Sequence, residues 1–182
     1  CKLETISFGH GITTTPLQAA TAYASLINGG KLITPTLKLN NNKNIKPQRV
    51  ISEKTSEKLR NILRKVVTHE KGTASLANIY GYNVSGKTGT SQYYNDKNKN
   101  INTFISFFVI SKKTYTLLVM LDDPQIAKDL VYNYRGLKIK GTRNEAGWNA
   151  VYSSGKIIEK IGPILAINNK EIPTHHVVKK TN

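Results

Sequence analysis

Apolar residues recur at helical spacing in several stretches of the chain, which predicts amphipathic helices that turn one face toward a core. The first helix starts at residues 15–18, where a threonine cap, a proline and a capping-box glutamine follow one another, and glycines stop it after Asn28. The second covers about residues 53–69 behind the cap Ser52, and a last one covers about 149–161. The residues expected to face the core are Leu17, Ala20, Ala24, Ile27, Leu59, Ile62, Leu63, Val66, Val67, Val151, Gly155, Ile158 and Ile161.

Other stretches have the composition of strands. Residues 103–110 and 114–121 are strongly β-prone and are separated only by a very short polar connection, which predicts an antiparallel hairpin. Residues 83–90 form a further predicted strand, residues 31–39 are expected to be extended, and residues 122–147 to be irregular. Helices combined with an antiparallel sheet predict an α+β fold.

The charge balance bears on the choice of partner. Lys and Arg number 27 against 11 Asp and Glu, a formal net charge of +16, so nucleic acid is the first partner to consider. The lysines, however, lie among asparagines in polar stretches such as residues 40–49 and 95–100, without the aromatic or arginine-rich spacing that reads bases. We therefore expect a solvated basic surface rather than a nucleic-acid interface.

Cysteine, histidine and hydropathy exclude other classes of site. Cys1 is the single cysteine, so no internal disulfide can form. His10 has no second histidine, cysteine or carboxylate at metal-ligand spacing, and His175 and His176 fall in a polar tail, so neither a metal site nor a cofactor is expected. No stretch is apolar and uncharged for the ~20 residues of a membrane span.

Residues 81–94, GYNVSGKTGTSQYY, fit two unrelated active-site patterns. Residues 81–88 satisfy G-x-x-x-x-G-K-[ST], the phosphate-binding loop, while residues 87–89 spell the K-T-G of serine acyl-transfer enzymes. An apolar run ending at Asp122 resembles the magnesium-binding strand of the first class, but a phosphate loop needs a helix directly after its lysine, and residues 91–102 are too polar for one. The K-T-G interpretation is favoured, with a P-loop nucleotide-binding protein as one alternative.

Residues 6–30, 71–92 and 145–165 resemble the segments that surround the K-T-G strand in penicillin-binding proteins, most closely the division-type (class B) peptidoglycan DD-transpeptidases. The resemblance implies part of the serine β-lactamase/DD-transpeptidase fold, an antiparallel sheet of the K-T-G strand and the following hairpin packed by helices. It divides the chain into residues 1–167, the C-terminal half of a penicillin-binding transpeptidase domain, and a polar tail, residues 168–182.

The resemblance also implies a mechanism. In such enzymes a serine attacks the penultimate D-Ala carbonyl of a peptidoglycan stem peptide, an acyl-enzyme forms, and an amine of a neighbouring stem resolves it; β-lactams acylate the same serine. Lys87 would supply positive charge at the cleft, and the hydroxyls of Thr88 and Thr90 would bind the substrate carboxylate. The backbone N–H of Thr90 would be an oxyanion donor, and Gly86 and Gly89 would let the substrate lie close to the strand.

The chain departs from that family in lacking a nucleophile motif. No S-x-N occurs, and the single S-x-x-K, Ser153 to Lys156, follows the K-T-G strand instead of preceding it and is taken as a chance match. We therefore expect a fragment of a serine-type D-Ala-D-Ala transpeptidase that begins inside its domain at Cys1, is inactive alone and exposes an apolar edge.

The remaining expectations about partners and location rest on the resemblance. Peptidoglycan stem peptides would be the substrate, β-lactams would bind the complete enzyme, and division-complex membrane proteins would be partners. The site would lie on the periplasmic, extracytoplasmic face of the cytoplasmic membrane, with the membrane anchor outside this chain. A non-catalytic binding module that uses the cleft wall or the basic surface is a second alternative.

Overall fold

The computed structural model describes residues 2–7, 9, 11–37, 46–93, 95–96 and 98–169. The chain divides into two compact units, Cys1–Leu59 and Arg60–Asn182. The predictions made for Cys1, His10 and the tail histidines concern residues outside the described ranges. Within those ranges, no helix is long and apolar enough to cross a membrane.

The first unit contains helices α1 (Lys2–Ser7) and α2 (Pro16–Ile27). The predicted capping box of α2 is confirmed: the hydroxyl of Thr15 accepts the Gln18 N–H at 3.2 Å, and the Gln18 side chain accepts the Thr15 N–H at 2.9 Å. Asn28 is the C-cap, as predicted. These bonds satisfy N–H groups that the first turn of a helix leaves without partners, so the start of α2 is fixed locally.

Strand β1 (Lys31–Leu32) pairs antiparallel with β2 (Gln48–Arg49). Within residues 31–37, the described part of the segment predicted to be extended, the strand covers only Lys31 and Leu32. Behind β2, the Ser52 hydroxyl accepts the Thr55 N–H at 3.1 Å and caps α3 (Glu53–Thr68), as predicted.

The predicted inward faces of α2 and α3 are confirmed only in part. Ile27, Leu63 and Val67 are buried, but 61% of Leu17 and 58% of Ile62 are exposed. Helical spacing identifies an apolar face, whereas burial also requires a neighbour along its whole length. Among the described residues, nothing covers these two side chains fully.

The second unit is built on a three-stranded antiparallel sheet in the order β3-β4-β5. Its strands are β3 (Ser85–Gln92), β4 (Asn100–Ile110) and β5 (Lys113–Asp122). The predicted hairpin is confirmed: Ser111 and Lys112, with φ of 51° and 64°, form the tight turn whose left-handed residues match the twist of paired strands.

A second hairpin, β6 (Val131–Tyr134) and β7 (Leu137–Lys140), lies where the sequence predicted irregular chain, so that prediction is wrong. Its turn is Arg135-Gly136, with φ of 53° and 82°. Each strand has only four residues, which is too few to show a clear alternation of apolar and polar positions. The prolines and glycines of the surrounding sequence made the region look irregular.

The last helix, α4 (Ala150–Asn168), starts behind the N-cap Asn149 and continues well beyond the predicted end at residue 161. Pro163 lies inside it, which shows that one proline did not end this helix. The proposed tail boundary at residue 168 thus falls in its last turn, and residues 170–182 lie outside the described ranges.

Helix α4 covers one face of the sheet and forms the core of the second unit. Its predicted inward residues Val151, Gly155 and Ile158 are buried. They share one apolar cluster with aromatic residues of β4, among them Phe104 and Phe108. This packing holds the sheet, and with it the K-T-G strand, against the start of α4.

The close contact between α4 and the short 3-10 helix Ser75–Ala77 generates a prediction. A Cβ at Gly155 would lie 2.8 Å from the carbonyl oxygen of Leu76. Gly155→Ala should therefore lower the free energy of unfolding by ~1–3 kcal/mol in urea denaturation, although alanine normally favours a helix by ~1 kcal/mol. Lys160→Ala on the exposed side of α4 is the control, and an equal loss in both variants would contradict the prediction.

Candidate functional site

A cleft of about 350 Å³ opens beside β3 in the second unit. The turn after α3 forms one wall, and the β6–β7 hairpin and the segment leading into α4 form the other. The lining residues are Glu70, Lys71, Gly72, Thr73, Thr88, Thr90, Tyr134, Arg143, Glu145, Ala146, Gly147 and Trp148. The cleft is therefore polar along the strand and aromatic on the side of the hairpin.

Thr88 and Thr90 both line this cleft. Their side chains share one face because they lie two residues apart on one strand. The Thr88 hydroxyl lies 2.9 Å from the hydroxyl of Thr73, in the turn after α3. The Thr90 hydroxyl oxygen accepts the N–H of Ala146 at 3.2 Å. The two threonines thus tie β3 to both walls of the cleft.

Lys87 points to the opposite face of β3, as the alternation of a strand requires. It is exposed, and its ammonium donates a hydrogen bond to the Thr88 carbonyl oxygen at 2.7 Å. The structure therefore brings Thr88 and Thr90 together in the cleft and leaves the Lys87 ammonium beside the strand.

Gly86 and Gly89 are required by the packing of β3 on β4. A Cβ at Gly89 would lie 2.5 Å from the hydroxyl of Thr103, and a Cβ at Gly86 would lie 2.4 Å from the carbonyl oxygen of Ile105. These contacts give both glycines a role inside the sheet. Their predicted role in close approach by a substrate stays a prediction. Gly89 still leaves the strand without a side chain between Thr88 and Thr90.

The strand continues through the K-T-G residues to Gln92 and then leads into an antiparallel partner. A phosphate-binding loop needs a helix whose N-terminal N–H groups follow the lysine directly. Residues 88–92 are extended, and Asp122 at the end of β5 accepts a hydrogen bond from the Tyr93 hydroxyl. The P-loop alternative is therefore contradicted by the local geometry.

An aromatic and cationic stack forms the hairpin side of the cleft. The ring of Tyr134 stacks on Trp148 with centroids 5.0 Å apart. The Arg143 guanidinium lies 5.7 Å from the Trp148 centroid, and that of Arg135 lies 5.3 Å from the Tyr134 centroid. Such cation–π contacts hold long side chains in defined positions.

Sequence reasoning missed this stack, together with Thr73. The one available signal was the alternating stretch VYNY-RG-LKIK, residues 131–140, with an arginine-glycine pair at its centre. Trp148 is the single tryptophan of the chain, so it can serve as a spectroscopic probe of the cleft.

The S-x-x-K match lies on α4 and outside the residues that line the cleft. Lys156 forms an ion pair with Glu159 at 2.9 Å, and that hydrogen-bonded carboxylate raises the pKa of the lysine. A lysine that activates a serine must lose its proton readily, so this environment opposes such a role for Lys156 toward Ser153. Among the described residues, no group of His, Cys, Asp and Glu is arranged to hold a metal ion.

Comparison with known proteins places this geometry in a family. Residues 2–142 match the penicillin-binding protein transpeptidase domain. The chain belongs to the penicillin-binding protein transpeptidase family. This confirms the family and the fold that the K-T-G segment and its flanking stretches indicated.

Individual relatives agree with the assignment. The chain is 32% identical over 181 residues to the "Probable peptidoglycan D,D-transpeptidase FtsI" of Caulobacter vibrioides, covering 90% of this chain and 28% of the relative. It is 35% identical over 136 residues to "Stage V sporulation protein D" of Bacillus subtilis, covering 66% of this chain and 21% of the relative. The chain thus spans under a third of the length of these relatives.

A solved structure supports the same fold. The transpeptidase domain of penicillin-binding protein 3 from Burkholderia pseudomallei superposes with a TM-score of 0.69 at 25% identity, covering 93% of this chain and 47% of that one. A Burkholderia ambifaria peptidoglycan glycosyltransferase gives a TM-score of 0.64 at 22% identity, covering 95% of this chain and 46% of that one. The chain therefore corresponds to about half of each solved chain.

The stack generates a prediction about ionisation. The Arg135 guanidinium beside the Tyr134 ring is the main cause that lowers the pKa of Tyr134 below its ordinary value. Because tyrosinate forms earlier in the folded chain, deprotonation should add stability as pH rises from the folded pKa toward the unfolded value of about 10. Quenching of Trp148 fluorescence during a pH titration should report the transition, and Tyr134→Phe should abolish it. The absence of a Tyr134-dependent transition below pH ~10 would contradict the lowered pKa.

Proposed function

We propose that residues 1–167 are the C-terminal half of the transpeptidase domain of a peptidoglycan D,D-transpeptidase, and that they supply the K-T-G wall of its active site. The observation that carries the proposal is that the K-T-G residues lie on an edge strand whose threonine hydroxyls line a cleft. The family match and the share of the solved transpeptidase chains that this chain covers support it.

Thr88 and Thr90 would bind the substrate carboxylate. The Thr90 hydroxyl oxygen already accepts a bond from Ala146, so its own proton is free to be donated to an anion. Thr88 shares a hydroxyl–hydroxyl contact with Thr73, in which either oxygen can be the donor. The Arg143 guanidinium, on the opposite wall, adds positive charge to the cleft.

Lys87 would act from the edge of the strand. Its ammonium is exposed, and within the described part of the chain the Thr88 carbonyl is its one hydrogen-bond partner, so a rotation of the flexible side chain can carry it toward a ligand on that edge. Positive charge there would attract the carboxylate and hold nearby amines in the neutral form that proton transfer needs.

The backbone N–H of Thr90 would be one oxyanion donor. Residues two apart in a strand direct their N–H and C=O groups to the same side. The exposed Lys87 ammonium donates a hydrogen bond to the Thr88 carbonyl, which indicates that this carbonyl points to the edge of β3 away from β4. The N–H and C=O groups of Thr90 then point to the same edge. An N–H on that edge has no strand partner among the described residues and can bind a developing oxyanion.

The reaction needs a nucleophile that this sequence does not contain. A serine from an S-x-x-K segment elsewhere in the complete enzyme would attack the penultimate D-Ala carbonyl, and the C–N bond to the terminal D-Ala would break as that amine takes a proton. An amine of a neighbouring stem would then attack the carbonyl carbon of the acyl-enzyme ester, the bond from that carbon to the serine oxygen would break, and a proton of the attacking amine would pass to the serine oxygen. This chain would be inactive alone.

Location and partners follow the same proposal. The enzyme would work on the extracytoplasmic face of the cytoplasmic membrane and would meet membrane proteins of the division complex. β-Lactams would acylate the same serine in the complete enzyme.

A chimera tests the proposed function. This chain would replace the segment of the Caulobacter relative that it matches over 181 residues, which joins it to the other half of a transpeptidase. The chimera should be acylated by a fluorescent penicillin, whereas the isolated chain should form no covalent adduct. Lys87→Ala should slow acylation by ~10²-fold or more, since the loss of one preorganised electrostatic contact costs on that scale.

Matched variants separate chemistry from folding. Thr90→Ser keeps both the hydroxyl and the backbone N–H and should acylate at close to the unmodified rate. Lys138→Ala removes an exposed lysine of β7 and should leave the rate unchanged. A folded chimera that is not acylated would refute the proposal, as would an adduct on Ser153 of the isolated chain.

A further inference from the structure

The β6–β7 hairpin holds the turn that follows α3 through one arginine at its tip. The Arg135 guanidinium donates to the carbonyl oxygen of His69 at 2.7 Å and to that of Gly72 at 3.4 Å. Its opposite contact is the ring of Tyr134. Arg135 therefore connects the aromatic stack of one cleft wall to the backbone of the other wall.

The position of this arginine is conformationally costly. Arg135 has φ of 53°, the left-handed region that the first residue of such a hairpin turn requires and that asparagine, aspartate or glycine adopts more easily. Residues held in this region cost free energy and persist where the surrounding structure holds them. In the Arg135 turn, the contacts of the guanidinium with the carbonyl oxygens of His69 and Gly72 can supply that hold.

The held turn is linked to the K-T-G strand by a side-chain contact. Its next residue is Thr73, whose hydroxyl meets that of Thr88 at 2.9 Å. The Thr73 carbonyl lies over Gly147, where a Cβ would come within 2.6 Å of its oxygen. The position of Thr73 therefore depends on how closely this turn approaches Gly147. The contact between the Thr73 and Thr88 hydroxyls depends on it in turn.

We propose that Arg135 is a positioning residue of the cleft, which fixes the 69–73 turn so that Thr73 orients the hydroxyl of Thr88. The inference rests on the proposed function for its catalytic consequence, but not for the contact itself. The hairpin is thereby part of the active-site scaffold, although none of its residues belongs to the K-T-G motif.

The first test uses the chain alone. Arg135→Gly removes the guanidinium and relieves the strained turn, so the melting temperature should stay the same or rise. Amide hydrogen exchange at Gly72 and Ala74, whose N–H groups bond to His69 and Val66, should nonetheless speed up about tenfold. Lys138→Ala is the control. Unchanged exchange in Arg135→Gly would overturn the proposal.

The second test uses the chimera described above. Arg135→Gly and Thr73→Val should each reduce the second-order rate of penicillin acylation about tenfold, and the double variant should lose no more than either alone, because coupled residues are not additive. Additive losses, or a loss that follows only a lower melting temperature, would overturn the proposal. A chimera that shows no acylation would refute the proposed function. The hydrogen-exchange result would then decide whether Arg135 fixes the 69–73 turn.

Discussion

The pairing of β3 with β4 is the constraint on which the candidate site depends. The register sets Thr88 opposite Phe104 and Lys87 opposite Ile105, and the absence of side chains at Gly86 and Gly89 permits the close approach. A slip of one residue would move every β3 side chain to the other face of the sheet. The close contacts at the glycines oppose such a slip, so the threonines stay on the face that α4 helps to enclose.

The cleft exists because segments far apart in sequence meet this one strand. The turn after α3 reaches Thr88 through Thr73, and the segment leading into α4 reaches Thr90 through Ala146. Neither contact is apolar, and each hydrogen bond contributes only ~1 kcal/mol. Burial of the sheet against α4 therefore supplies the stability, while these polar contacts determine the shape and orientation of the site.

Local signals made much of the fold predictable. The capping box at Thr15 and the short connection at Ser111 act between near neighbours in the chain, so sequence was enough to predict them. The β6–β7 hairpin was missed because its strands are short and because its turn has Arg135 where asparagine, aspartate or glycine is usual. The K-T-G residues were recognised from their pattern, but the walls around them were not, since Thr73 and Trp148 reach the cleft only through long-range packing.

The separation of Lys87 from the threonines bears on where a ligand would lie. Side chains that alternate along a strand point to opposite faces, so no ligand confined to the cleft meets both the ammonium and the hydroxyls without rotation of the lysine. A ligand that lies along the unpaired edge of β3 borders both faces at once and also meets the backbone groups of Thr88 and Thr90. An extended peptide has the geometry for this position, because it can pair with an edge strand. A ligand along the edge of β3, with one end in the cleft, could therefore meet Lys87, Thr88 and Thr90 together. A ligand confined to the cleft would meet only the threonines.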